Sequence, residues 1–196
     1  MAKQDRARLT QERVLDAAAE EFGAHGFAAT NLQVVADRIG LTKGALYGHF
    51  PSKASLADDL TRRFEEGWQE ILHTAERSPA TAQETLQTVT VELAGRLQQD
   101  VRFAAGLRLV WEAARARGTT PAELLRLQAV LAALVGRAQQ DGEISPGHEP
   151  ELLAGLLLSL VLGVHHVSGV AQPGTAALQL RGMWQVLIPA LRPTSA

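Results

Sequence analysis

Thr30-Asn31-Leu32-Gln33-Val34-Val35-Ala36-Asp37-Arg38-Ile39-Gly40-Leu41-Thr42-Lys43-Gly44-Ala45-Leu46-Tyr47-Gly48-His49-Phe50-Pro51-Ser52-Lys53 is the stretch on which the reading of the chain turns. It reads as two short helices joined by a tight turn. Thr30 stands where a first helix needs a cap, with Gln33 three residues on in the reciprocal position of a capping box. Val35 and Ile39 are four apart and share one buried face. Ala36 is small where two crossing helices must approach, and Gly40 supplies the backbone freedom of a helix end. Leu41 re-enters the core, and Thr42 caps a second helix running to about His49. Leu46 and Phe50 bury that helix, leaving Lys43, Gly44, Tyr47 and His49 to face outward. Pro51 stops it and Ser52 caps the next helix. Lys53 lies in that helix's first turn, where a cation opposes the macrodipole unless an anion such as a phosphate shares the site.

An ordinary pair of core helices has no need of Thr-Lys-Gly at its second start, nor of an outward Tyr, His and Lys. Groups able to contact phosphates or base edges within so few residues fit a helix-turn-helix lying in a DNA groove. Thr30, Gln33, Thr42, Lys43, Gly44, Tyr47, His49 and Lys53 are the expected DNA-binding residues. The run Leu41-Thr42-Lys43-Gly44-Ala45-Leu46-Tyr47-Gly48-His49-Phe50 resembles the recognition helix of the TetR family of transcriptional repressors. The resemblance implies an all-α homodimer with an N-terminal DNA-binding domain, residues 1–56. Residues 57–196 would then form a helical domain for ligand binding and dimerisation.

The chain has 196 residues, 46% of them apolar and 20% charged, ordinary for a soluble globular protein. It has no cysteine, which excludes disulfides and thiolate chemistry and fits a cytoplasmic protein. The N-terminus lacks the apolar run of a signal peptide. The net charge of −2 argues against a global positive field. Locally, however, Lys3, Arg6 and Arg8 face only Asp5 in the first nine residues. DNA would be met by a small basic patch.

Helical periodicity dominates the remainder. Leu15, Ala18, Ala19 and Phe22 form one face of a helix over residues 10–25, which Gly26 ends. A long helix over 53–77 follows the helix-turn-helix, then helices over 82–99 and 101–117, and one that starts at Thr120-Pro121, with Pro121 at its first helical position, and runs to Asp141-Gly142. A Gly- and Pro-rich loop follows, and then helices over 151–170 and 175–191, joined by Gln172-Pro173-Gly174. No Asp, Glu, Lys or Arg occurs from Leu152 to Leu180. His165 and His166, and flanks without Lys or Arg, weigh against a membrane span. The expectation is burial all round, with two helices per subunit forming a four-helix dimer interface. Gly155, Ser159 and Gly163 form a stripe for close approach, and Trp184, Leu187 and Leu191 a facing row.

Trp68, Phe103, Leu107, Trp111, Gln128 and His166 are the expected lining of an effector cavity. His165 and His166 diverge by about 100° on a helix, so they make poor joint metal ligands. Three segments resemble the gamma-butyrolactone receptor branch of the family: Arg6 to Gln11, Ala105 to Leu109, and Met183 to Ile188. That resemblance implies a small lactone or furan-type effector. The chain departs from the branch in reading Glu123-Leu124-Leu125-Arg126 where a Trp commonly covers the ligand, and in having Gly48 where a bulky aromatic is usual. No cofactor is expected. Neither a Gly-x-Ser-x-Gly elbow nor a phosphate-binding Gly loop nor a His-Glu-x-x-His pair occurs, so a helical enzyme is the weaker class. Non-specific DNA compaction would call for a far more basic chain.

Overall fold

The computed structural model describes residues 2–168 and 175–193. Among the described residues there are nine helices and no strand: α1 (Ala2–Ala29), α2 (Leu32–Arg38), α3 (Lys43–His49), α4 (Lys53–Glu76), α5 (Ala82–Gln99), α6 (Val101–Ala116), α7 (Ala122–Gln140), α8 (Pro150–Ser168) and α9 (Thr175–Leu191). The loop Gln172-Pro173-Gly174, and the end of the helix expected to reach Val170, lie outside the described residues.

The chain forms two compact units, residues 1–67 with 100–121, and residues 68–99 with 122–196. The first therefore holds α6 and the first half of α4 in addition to residues 1–56.

The first unit is built on α1. Leu15, Ala18, Ala19 and Phe22 are buried, as their spacing predicts, against Val35 and Ala36 of α2, Leu46 of α3, and Leu56 and Leu60 of α4. Ala105 and Leu109 bring α6 onto the same core. At Gly106 the α6 backbone meets α4 directly. A Cβ there would lie 2.5 Å from the Phe64 Cβ and 2.7 Å from the Leu60 carbonyl oxygen, so only glycine permits this crossing. Phe103, one turn earlier, packs on Phe64 with ring centroids 4.8 Å apart.

In the second unit α5, α7, α8 and α9 pack together. Thr81 and Glu84 cap α5 reciprocally: the Thr81 N–H donates to the Glu84 carboxylate at 3.1 Å and the Glu84 N–H to the Thr81 hydroxyl at 3.3 Å. Leu153, Ala154, Leu157, Val161 and Val164 line the inner face of α8. The span Pro150–Val167 is long and apolar enough to cross a membrane, with a mean hydropathy of 1.5. It packs against α5, α7 and α9. Trp184 of α9 is buried, and its indole N–H donates to the Thr90 hydroxyl at 2.8 Å.

Candidate nucleic-acid interface

The turn between α2 and α3 follows from its glycine. Gly40 has φ +72°, a region that side-chain-bearing residues rarely adopt. Its N–H donates to the Asp37 carbonyl at 3.1 Å, and the Leu41 N–H donates to that of Ala36 at 2.9 Å. These are the paired bonds of a Schellman ending, and Leu41 packs on the core beside them. Thr42 then caps α3, its hydroxyl accepting from the Ala45 N–H at 3.1 Å. Leu46 and Phe50 are buried, while Thr42, Lys43, Gly44 and Tyr47 are exposed and His49 is half-buried. Helix α3 is thus anchored by two apolar residues and turns a polar, cationic face to solvent. Lys43 has no hydrogen bond or ion pair among the described residues.

Two expectations at this site are corrected. Thr30 does not cap α2. It is buried, and its hydroxyl donates to the Gly26 carbonyl at 2.6 Å, so it belongs to the end of α1. The cap is Asn31, whose side-chain oxygen accepts from the Gln33 N–H at 2.9 Å. Gln33 does not reach back to the cap. Its amide donates to Asp37 at 2.7 Å on the exposed side of α2. Asn31 was recognisable in the sequence, since Asn caps helices at least as well as Thr.

Lys53 is the second correction. Its ammonium donates to the carbonyls of Ala28 at 3.0 Å and Thr30 at 3.1 Å, and lies 5.0 Å from the Phe27 ring centroid. It holds the end of α1 instead of standing free for a phosphate. The start of α4 is capped by Ser52, whose hydroxyl accepts from the Ser55 N–H at 3.0 Å, while the Ser55 hydroxyl accepts from the Ser52 N–H at 3.2 Å.

Other cations of this unit are also engaged. Arg13 donates to the Ile39 carbonyl at 3.2 Å, and Arg38 pairs with Glu20 and Glu21. Glu12 lies between Arg102 and Arg63, and Arg102 also pairs with Asp16. The hydrogen bond from Arg102 acts most strongly on the Glu12 carboxyl; burial opposes it, and the hydrogen bond from Arg63 adds to it, so the pKa stays below its usual value. At Glu112 burial opposes ionisation, but hydrogen bonds from the Phe27 N–H and from Arg108 outweigh it and lower the pKa.

The expected effector residues divide between the two units. Phe103, Leu107 and Trp111 belong to the first unit and Trp68, Gln128 and His166 to the second. Trp68, Phe103 and Leu107 are buried, whereas Trp111 is 37% exposed. Gln128 lines a cleft of about 510 Å³ with Leu125, Ala129, Ala132, Ala133, Pro150 and Glu151. The apolar members of that lining carry no signal that separates them from core. His166 is exposed on the outer face of α8, so it does not point into the bundle; His165 is half-buried instead. Burial, and then the charge of His166, lower the His165 pKa.

The expected interface residues divide likewise. Gly155 and Leu187 are half-buried, and Ser159 and Gly163 are exposed beside Leu152, Leu156 and Val167. Trp184 and Leu191 are buried at 2% and 7% exposure within their own unit, so they have no surface left for a partner. The outer face of α9 carries Leu178 and Val186 instead. Among the described residues no cluster of His, Asp and Glu is placed to hold a metal ion.

A short helix held by two buried apolar residues, capped by Thr42 and presenting Lys43 and Tyr47, is the recognition element of a helix-turn-helix DNA-binding protein. Residues 14–60 match the family of bacterial regulatory proteins called the tetR family. The chain is 30% identical to the A-factor receptor protein of Streptomyces griseus over 194 residues, covering 97% of this chain and 67% of that protein. It resembles the structure of a gamma-butyrolactone receptor (ArpA-like protein) with a TM-score of 0.76 and 23% identity, covering 96% of this chain and 91% of that one. The TetR-family protein CprB of Streptomyces coelicolor, in complex with its operator, gives a TM-score of 0.79 at 24% identity over 97% and 92% of the two chains. The chain belongs to the TetR family, as a transcriptional repressor related to the gamma-butyrolactone receptors. Regulators of this family are DNA-binding proteins and not enzymes.

Proposed function

We propose that two copies of this chain bind a pseudo-palindromic operator and release it when a small molecule binds. In this reading residues 1–56 are the DNA-binding domain, residues 57–196 bind the effector and dimerise, and the protein works in the cytoplasm. The observation that carries it is the exposed face of α3. Lys43, its ammonium free of protein partners at the start of the helix, meets the edge of a guanine. Gly44 allows close approach. Thr42, Tyr47 and His49 contact phosphates and set the helix in the groove, with Gln33 beside them on α2.

Dimerisation is supported by the outer faces of α8 and α9. Leu152, Leu156, Val167, Leu178 and Val186 are exposed there, with Gly163 and Ser159 between them and no charge from Leu152 to Leu180. A face so apolar calls for a partner, and two-fold pairing of recognition helices matches a palindrome with half-sites spaced by a helical turn. The effector class rests on the A-factor receptor as a relative and on the gamma-butyrolactone receptors that share the fold. A lactone or furan-type signal is therefore proposed, with Gln128 the leading polar contact.

The test is a gel shift against the promoter upstream of the chain's own gene. Lys43→Ala should weaken binding and relax preference at one base pair by about 1–3 kcal/mol. A Lys43→Ala protein that selects the same sequence at parental affinity would end this reading.

A further inference from the structure

We propose that Arg108 and Glu112 of α6 are positioning residues for DNA binding, because together they occupy a broken helical hydrogen bond at the entry to the helix-turn-helix. The proposal rests on the DNA-binding reading above. In an uninterrupted helix the Phe27 N–H would donate to the carbonyl of Gly23, four residues earlier. Gly26, at φ +75° and ψ 176°, bends α1 between them and breaks that bond. The orphaned N–H donates instead to Glu112 Oε2 at 2.7 Å. The orphaned Gly23 carbonyl accepts from Arg108 Nη1 at 2.7 Å. Arg108 Nε closes the circuit on Glu112 Oε1 at 2.9 Å. One ion pair from another helix therefore satisfies both halves of the missing bond, leaving neither group unpaired at the bend.

The bend is built around this pair. A Cβ on residue 26 would lie 2.2 Å from Glu112 Oε1, so Gly26 makes room for the carboxylate as well as adopting the dihedral angle. From α4, Lys53 holds the carbonyls of Ala28 and Thr30. The Gly23–Thr30 segment is thus gripped by α6 and α4 at charge-assisted hydrogen bonds, and α2 begins two residues beyond it. Where α6 stands fixes where Phe27 stands, and that in turn sets the position of α2 and α3. A staple that merely stabilised the fold would lower the unfolding temperature and leave operator affinity alone. A positioning pair alters operator affinity in a protein that is still folded and assembled.

Glu112→Ala, Glu112→Gln, Arg108→Gln and the double Arg108→Ala/Glu112→Ala variant separate these roles. The readouts are affinity for the operator fragment recovered with the parent protein, affinity for a scrambled duplex, sedimentation, and hydrogen exchange at the Phe27 amide. Glu112→Ala should speed exchange at Phe27 and lower operator affinity roughly tenfold, the lower end for a lost charge-assisted hydrogen bond. Scrambled-duplex affinity and assembly should not change. Glu112→Gln keeps an acceptor oxygen and should restore most of the loss, and the double variant should be no worse than Glu112→Ala because the pair acts as a unit. Should Glu112→Ala not fold, Arg108→Gln carries the test, with affinity falling in the same direction. Parental operator affinity in a variant whose Phe27 amide exchanges faster would overturn the proposal, and so would unchanged exchange. A parent protein that prefers no duplex would instead overturn the DNA-binding reading and this proposal with it.

Discussion

Lys43→Ala and Lys53→Ala each remove one positive charge from the helix-turn-helix region, and their different surroundings lead to different expected outcomes. Six basic side chains are described between residues 5 and 56. Arg13, Arg38 and Lys53 are engaged with carbonyls or carboxylates, while the guanidinium groups of Arg6 and Arg8 and the ammonium of Lys43 have no hydrogen bond or ion pair among the described residues. The proposed dimer would therefore bring about six free cations to DNA, and at about 0.9 per phosphate the log–log salt slope should be near −5. Affinity would then fall by about 10³ between 50 and 200 mM salt. Lys43→Ala should make the slope shallower by about 2, one charge per protomer, and blur selection at one base pair. Lys53→Ala should leave the slope in place. It should instead loosen the end of α1, costing about 1–2 kcal/mol for two partly solvated charge-assisted bonds, or about 2–8 °C in the unfolding midpoint. Fluorescence anisotropy across a salt series, with thermal unfolding in parallel, measures both. A Lys53→Ala protein with an unchanged midpoint and a slope shallower by about 2 would refute the reasoning, because Lys53 would then have left its carbonyls for a phosphate.

Leu156→Arg, on the exposed face of α8, should strand a charge in the proposed interface and yield monomers by sedimentation that no longer bind a full palindrome; dimers at parental concentration would exclude that face. Trp184→Ala should act through the core of its own unit, leaving a cavity and removing the indole donor to Thr90, whose hydroxyl keeps its bond to the Leu86 carbonyl, at a cost of about 3–5 kcal/mol in chemical denaturation. Gly106→Ala should overpack the α4–α6 crossing by about 1–3 kcal/mol, read in the same assay. For Glu12 the folded-state pKa is depressed. Its contribution to stability is therefore present above the unfolded pKa and lost as pH falls through the folded one. Denaturation of the parent and of Glu12→Gln from neutral pH downward should converge in acid; a constant gap would exclude the mechanism.

The helix-turn-helix was legible because local rules govern it. Gly40, Thr42, Leu46 and Phe50 each do what spacing and capping dictate, and no distant residue is needed to place them. The two errors at the site arose where a distant partner decides. Lys53 at a helix start invites a phosphate, but the carbonyls freed at the end of α1 are nearer, and their presence depends on how α1 bends. Thr30 resembles a cap until the bend at Gly26 supplies its hydroxyl with a carbonyl. The Arg108–Glu112 pair was illegible for the same reason, since an i, i+4 pair on one helix reads as solvated surface. On α8 the small-residue stripe has Ser159 and Gly163 exposed and Gly155 half-buried. On α9 Trp184 and Leu191 are buried in their own unit, and since Trp184 and Val186 are both apolar, only packing says which faces α5.

The proposed effector-driven release would have to work through elements that already hold the recognition region. Helix α4 is continuous from Lys53 to Glu76, about 36 Å long at 1.5 Å per residue, and its first residue grips Ala28 and Thr30. A tilt of α4 therefore moves the entry to the helix-turn-helix as well as α3. In a dimer the operator fixes the separation of the two α3 helices, so a ligand that favours another tilt weakens DNA binding by its differential affinity for the two states. A coupling of about 1–3 kcal/mol corresponds to a 5–150-fold loss of operator affinity. Titrating gamma-butyrolactones and alkylfurans against the operator complex, with tryptophan fluorescence followed alongside, measures binding and release separately. Binding without release would sink the coupling through α4. Release by a lactone, abolished in Gln128→Ala while operator affinity in its absence is unchanged, is the expected result.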